Sequence, residues 1–207
     1  MRKKVFVILL QLIIILSGCS LQSDKPDSSK FNIVVPYDKF EKYISESRKQ
    51  DNNIDELYMD IIFYPLYNEF ISGGRYSKIA YWYIRSTITQ ISDIENKLNL
   101  LKEENVEKIA EEALHRCNEY FPAENTTVLI IPARTEYSYL TDPMGGVIGV
   151  TAGSGKIMVL VDPTHNDWKS VLSYTIAHEY HHSIWTAMQC EYDGTILASL
   201  IFEGKAD

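Results

Sequence analysis

The run Ala177-His178-Glu179-Tyr180-His181-His182 brings imidazoles and a carboxylate within six residues. On a helix, positions four apart face the same way, so His178 and His182 can hold one metal ion between them. Glu179 projects beside them and can take a proton from a nearby water. Twenty-one positions after His182, Glu203 opens Glu203-Gly204-Lys205-Ala206-Asp207, following the apolar stretch 195–202. As a helix, Ile196, Leu200, Glu203 and Asp207 share one side, and the pattern predicts that this side is buried. Carboxylates there are costly unless they meet a cation or donors. Two histidines, a glutamate and a water form a known hydrolytic zinc set. The expected site therefore holds one Zn2+ on His178, His182 and Glu203, with Glu179 as general base. Asp207 is placed to accept the outer N–H of a ligating histidine.

These two motifs carry a resemblance. Residues 126–207 resemble a family of bacterial zinc-dependent proteases whose members are largely uncharacterised, and the arrangement is similar to the wider gluzincin class. The resemblance implies an α+β, zincin-like metallopeptidase domain with a mostly helical N-terminal half and a small β-sheet, followed by the HExxH active-site helix and a glutamate-ligand helix. Carried over by position, it implies the same ligands, base and outer acceptor. It also implies that the hairpin 146–161, ahead of the active-site helix, pairs with an extended substrate. The chain stops one turn after Glu203, so the C-terminal part of the domain is expected to be truncated. No residue is assigned to stabilise an oxyanion.

The elements that must position these groups follow from periodicity. Residues 37–50 and 54–71 read as amphipathic helices, with Ser72-Gly73-Gly74 as a turn. Residues 78–89 and then 91–120 continue at helical spacing. The tyrosines of this half, among them Tyr58, Tyr64, Tyr67, Tyr81 and Tyr83, are read as packing groups rather than a binding face. The character changes at Pro122: 126–133 reads as a strand, and 146–151 with 156–161 as a strand pair. Asp167 is the expected N-cap of a helix from Trp168 to about residue 189. Leu172, Ile176, Tyr180 and Ile184 lie opposite the histidine pair. His181 falls off the ligand face, His165 reads as a solvated loop residue, and His115 has no metal-like partner.

Arg2-Lys3-Lys4 and the apolar run 5–16 form an export signal too short for a comfortable membrane span. Leu16-Ser17-Gly18-Cys19 resembles a bacterial lipobox, which implies cleavage after residue 18 and lipid on Cys19. Residues 19–30 are then a lipidated tether, and 31–207 the metallopeptidase-like domain, with a helical half 37–120 and a sheet-and-site half 122–207. Removing the signal takes net charge from −8 to about −11, which excludes charge-driven binding to nucleic acid or anionic lipid. Cys117 and Cys190 are either a disulfide or two free thiols. The expected function is hydrolysis of peptides or proteins on the extracytoplasmic face of a bacterial membrane, to which lipid on Cys19 attaches the protein. The alternative is a non-catalytic, zinc-binding surface lipoprotein that binds a partner.

Overall fold

The computed structural model describes residues 30–49, 52–85, 87–123, 125–188, 195–204 and 206, without the side chains of 197–199 and 202. The export signal, Cys19, the tether up to residue 29, Cys190 and Asp207 lie outside these residues. Among the described residues, no helix is long and apolar enough to cross a membrane.

The architecture is α+β, around a four-stranded mixed sheet of β1 (Phe31–Val34), β2 (Thr126–Pro132), β3 (Val147–Gly153) and β4 (Lys156–Val161). Strand order is β1-β2-β4-β3, with β1, β2 and β4 parallel and β3 antiparallel at the edge. Parallel strands covered on both faces run apolar without alternation, as β2 does from Val128 and β4 from Ile157. Leu129, Ile131, Met158 and Leu160 enter one core, while Val128, Ile130, Ile157 and Val159 enter the other.

The first core is roofed by α1 (Tyr37–Ser47), α2 (residues 54–71), α3 (Ser77–Ile84) and most of α4 (Ile91–Glu103). In α2 the α-turns Ile54–Tyr58 and Tyr64–Leu66 alternate with wider π-turns, Met59–Phe63 and Tyr67–Ile71. Pro65, which has no N–H to give, lies between the two wide turns. The second core is covered by α5 (Val106–Tyr120) and α6 (Trp168–Ala187), which bury Ala110, Leu114, Leu172, Ile176 and Tyr180. The last helix is α7 (Ile196–Gly204).

Four expectations need correction. Strand β1 precedes the helical half, although its four residues carry too little pattern to be read as a strand. Helix α3 ends at Ile84 rather than 89, because Tyr58 and Tyr43 donate to the carbonyls of Ile84 and Ile88 and draw the chain inward. The run 91–120 is two helices, broken where Asn105 adopts the left-handed conformation at φ 49°. Asp167 stands at the start of α6, but its side chain makes no capping hydrogen bond.

One ionic contact ties the layers together. The fully buried Lys97 ammonium of α4 lies 2.8 Å from Asp162 Oδ2 just after β4 and 3.0 Å from Asp93 Oδ2. It also donates to the Ala133 carbonyl just after β2, at 3.0 Å. Burial pushes the Asp162 carboxyl up. Hydrogen bonds from Lys97 and Thr164, with the Lys97 charge, outweigh this and hold it below its ordinary value.

Candidate metal centre

Helix α6 crosses β3 and β4, with Leu172, Ile176 and Tyr180 buried below. That packing turns positions 178, 179 and 182 toward the edge strand. His182 is buried, with 5 % of its side chain exposed, whereas His178 is 18 % exposed. Glu203 of α7 comes from the solvent side and is 59 % exposed.

These three side chains converge. His178 Nε2 and His182 Nε2 are 2.9 Å apart, and each lies 3.2 Å from Glu203 Oε2. A tetrahedral ion with bonds of about 2.0–2.1 Å separates its ligand atoms by about 3.3 Å. The observed triangle is close to that size, and its donors are the nitrogen and oxygen types that zinc prefers. Among the described residues, His178, His182 and Glu203 are a group of side chains able to hold a metal ion. Burial, and then the neighbouring His178, hold His182 below the ordinary imidazole value. That favours the neutral ring a metal needs.

Glu179, which lines the same cavity as His178 and Glu203, rests against β3. Its carboxylate is buried, with Oε2 2.8 Å from Thr151 Oγ1. The same hydroxyl is 2.8 Å from the Glu179 main-chain carbonyl. A hydroxyl can donate once and accept elsewhere. Thr151 therefore suits both states of its neighbour: it donates to an ionised Oε2, or accepts from a protonated one while donating to the carbonyl. Burial pushes the Glu179 carboxyl above the usual carboxylate range, against the opposing hydrogen bond from Thr151 and the His178 charge.

Room for this carboxylate comes from a missing side chain. A Cβ on Gly149 would lie 2.4 Å from Glu179 Cγ, 2.6 Å from Thr175 Cγ2 and 2.8 Å from Glu179 Oε1. Gly149 and Thr151 went unassigned in the sequence. The one signal for them is a glycine inside the strand run Val147-Ile148-Gly149-Val150-Thr151, which marks a close approach by another group. Beside His178 and Glu179 lies an open cavity of about 380 Å³, bounded by β3, α6, Glu203, the segment before β3 and Tyr83 of α3.

The remaining expectations divide. Glu203 meets both histidines, but not from a buried stripe: Ile196, Leu200 and Ile201 of α7 are all exposed. Among the described residues, nothing covers that side of the helix. His181 is outside the ligand group and packs near Phe121 and Trp185. His165 is not simply solvated, since its Nε2 is 3.1 Å from Asp142 Oδ1. His115 stacks edge-on to Phe31 and lies 3.7 Å from Glu111. Cys117 is a free, half-buried thiol whose ionisation burial disfavours. Tyr58 is core and Tyr67 and Tyr81 pack on Phe63, but Tyr64 is half exposed and Tyr83 faces the cavity.

Residues 106–207 match a family model described as Predicted Zn-dependent protease (DUF2268). The match spans α5 through α7 and supports zinc as the metal and a protease as the lineage. No curated protein and no solved structure matches the chain.

Proposed function

We propose that the protein is a zinc-dependent peptidase with a zincin-like site, in which His178, His182 and Glu203 hold the ion and Glu179 is the general base. The observation that carries this reading is the convergence of three ligand atoms beside a buried carboxylate that takes no part in holding them. A structural zinc site has no use for such a carboxylate. An ion held there supplies Lewis acidity, which activates a neighbouring water and polarises a substrate carbonyl.

The chain's own residues do the rest. Glu179 takes the water proton on its carboxylate and later returns it to the leaving amine. Its raised proton affinity suits both steps, and Thr151 holds it through the exchange. Burial between β3 and α6 keeps competing water away from that proton. The outward edge of β3 ahead of Ala152, whose carbonyl is already taken by the Tyr76 amide, offers main-chain groups to an extended peptide, as the resemblance implies.

Lipid on Cys19 would anchor the mature chain to the extracytoplasmic face of a bacterial membrane, where its substrates are peptides or proteins. Cys19→Ser should then move the protein from the membrane to the soluble fraction, and retention of the variant on the membrane would refute the anchor. The exposed apolar side of α7 favours a second reading, a zinc-binding surface protein that docks a partner without hydrolysing it. Incubating the purified mature chain with a mixed peptide library separates the two. The peptidase reading expects cleavage that a chelator abolishes, zinc restores and Glu179→Gln prevents. Intact peptides with a zinc-loaded wild-type protein would refute it.

A further inference from the structure

The cavity beside His178 and Glu179 has a composition of its own. Its walls away from the metal group are Tyr83, Leu140, Met144, Ile148 and Tyr174. Among the described residues, no lysine, arginine or aspartate lines it. Each of its two carboxylates is engaged through Oε2, Glu179 with Thr151 and Glu203 with the two histidines. At about 380 Å³ it lies near the small end of the ligand-pocket range of about 300–1,000 Å³. One large side chain with its flanking backbone fits such a volume.

The far wall is also held in place. The turns Ser138–Thr141 and Asp142–Met144 are joined to β3 through Gly145 and Gly146, which take φ 64° and 88°. The Gly146 amide donates to the Thr141 carbonyl at 2.8 Å, and Thr141 is fully buried. Asp142 is bridged to His165 at the start of the α6 approach. Leu140 and Met144 therefore sit on a fixed segment, while Tyr83 reaches the cavity from outside the residues that match the protease family. Met144 and Tyr174 are 59 % and 56 % exposed, so large apolar side chains stand in solvent at the mouth. A substrate side chain entering there would cover them.

We propose that this cavity is the specificity pocket of the chain: it receives the substrate side chain flanking the scissile bond and selects a large, uncharged apolar one. The proposal rests on the peptidase reading and names its substrate class. An acidic side chain would be buried against Glu179 and Glu203, and a basic one would lay its charge against Leu140, Met144 and Ile148, so either would be desolvated against an unfavourable wall. Leucine, methionine or phenylalanine would replace water against Leu140, Met144 and Ile148.

The test uses the full zinc-loaded chain and a peptide library randomised on both sides of the cleavage point, with products read by mass spectrometry. One flanking position should favour Leu, Met or Phe over Ala by about 10- to 100-fold in kcat/KM, and over Asp or Lys by more. Met144→Glu, an exposed substitution with no folding burden, should erase most of that preference and bring Lys into the favoured set. Cleavage with a flat or charge-enriched position, or a preference that Met144→Glu leaves intact, would overturn the proposal. A second arm measures binding of Leu-, Ala- and Lys-containing peptides to zinc-loaded Glu179→Gln, which needs no turnover. Apolar peptides binding at least about tenfold tighter, and losing that margin with Met144→Glu, would keep the pocket even if the wild type hydrolyses nothing. Equal binding would remove the pocket while leaving any observed hydrolysis standing.

Discussion

The two sides of the site are built differently. On the β3 side, Glu179 and His182 are buried on a helix whose opposite side is core, and Glu179 is seated by Thr151 and by the space above Gly149. On the α7 side, Glu203 reaches the same point from a helix with Ile196, Leu200 and Ile201 in solvent. The base and one ligand are therefore preorganised by the fold, whereas the third ligand is held chiefly by what it meets. Removing a group should therefore cost fold and chemistry on the β3 side, and metal alone on the α7 side.

The largest effect is expected at the base. Glu179→Gln should lower kcat by at least about 10³-fold while leaving zinc content unchanged, in line with loss of a general base; retained activity would remove Glu179 from the chemistry. Next come the ligands. His182→Ala should lose zinc and lower the Tm of the metal-free protein, because it empties a buried position. Glu203→Ala should weaken zinc by more than the ~10–100-fold typical of a merely supporting group, with the metal-free Tm unchanged. Equal Tm losses in the two variants would show that both ligands are seated alike by the fold.

Smaller effects test the seating of Glu179. Gly149→Ala places a methyl where the Glu179 side chain runs, and should cost about 1–3 kcal/mol of stability by overpacking, with a clear fall in kcat and little change in zinc content. Thr151→Val should cost about tenfold in kcat, the scale of one lost buried hydrogen bond, and Thr151→Ser should recover most of it. The smallest effect on the site comes from Asp162. Its folded-state pKa lies below its unfolded value, so its contribution is present above the ordinary carboxylate range and is lost as pH falls through the folded value. Asp162→Asn should flatten the acid limb of a stability–pH curve, and an unchanged limb would show that the contact with Lys97 carries no pH-dependent stability.

What the sequence made legible follows the same division. The pairing of His178 with His182 was readable because helical spacing alone brings them together, whereas Glu203 was reached through an apolar run expected to be buried, and the structure leaves Ile196, Leu200 and Ile201 of that run exposed. Strands β2, β3 and β4 were readable from branched apolar runs. Glu179's partners were not, since Gly149 and Thr151 act through an approach between two elements that no local pattern records. The buried contact of Lys97 with Asp162 was hidden for the same reason, its partners being far apart in the chain. Strand β1 escaped because its pairing is decided by β2, nearly a hundred residues away. The break at Asn105 escaped because apolar spacing continues across it, while the backbone does not.

If three side chains from α6 and α7 form one zinc site, calorimetric titration of the metal-free chain with zinc should reveal it. The expected result is a single tight site per chain, strongly weakened in each of His178→Ala, His182→Ala and Glu203→Ala, and unchanged in Glu179→Gln. Absence of binding by the folded wild type, or a site that survives loss of Glu203, would contradict it.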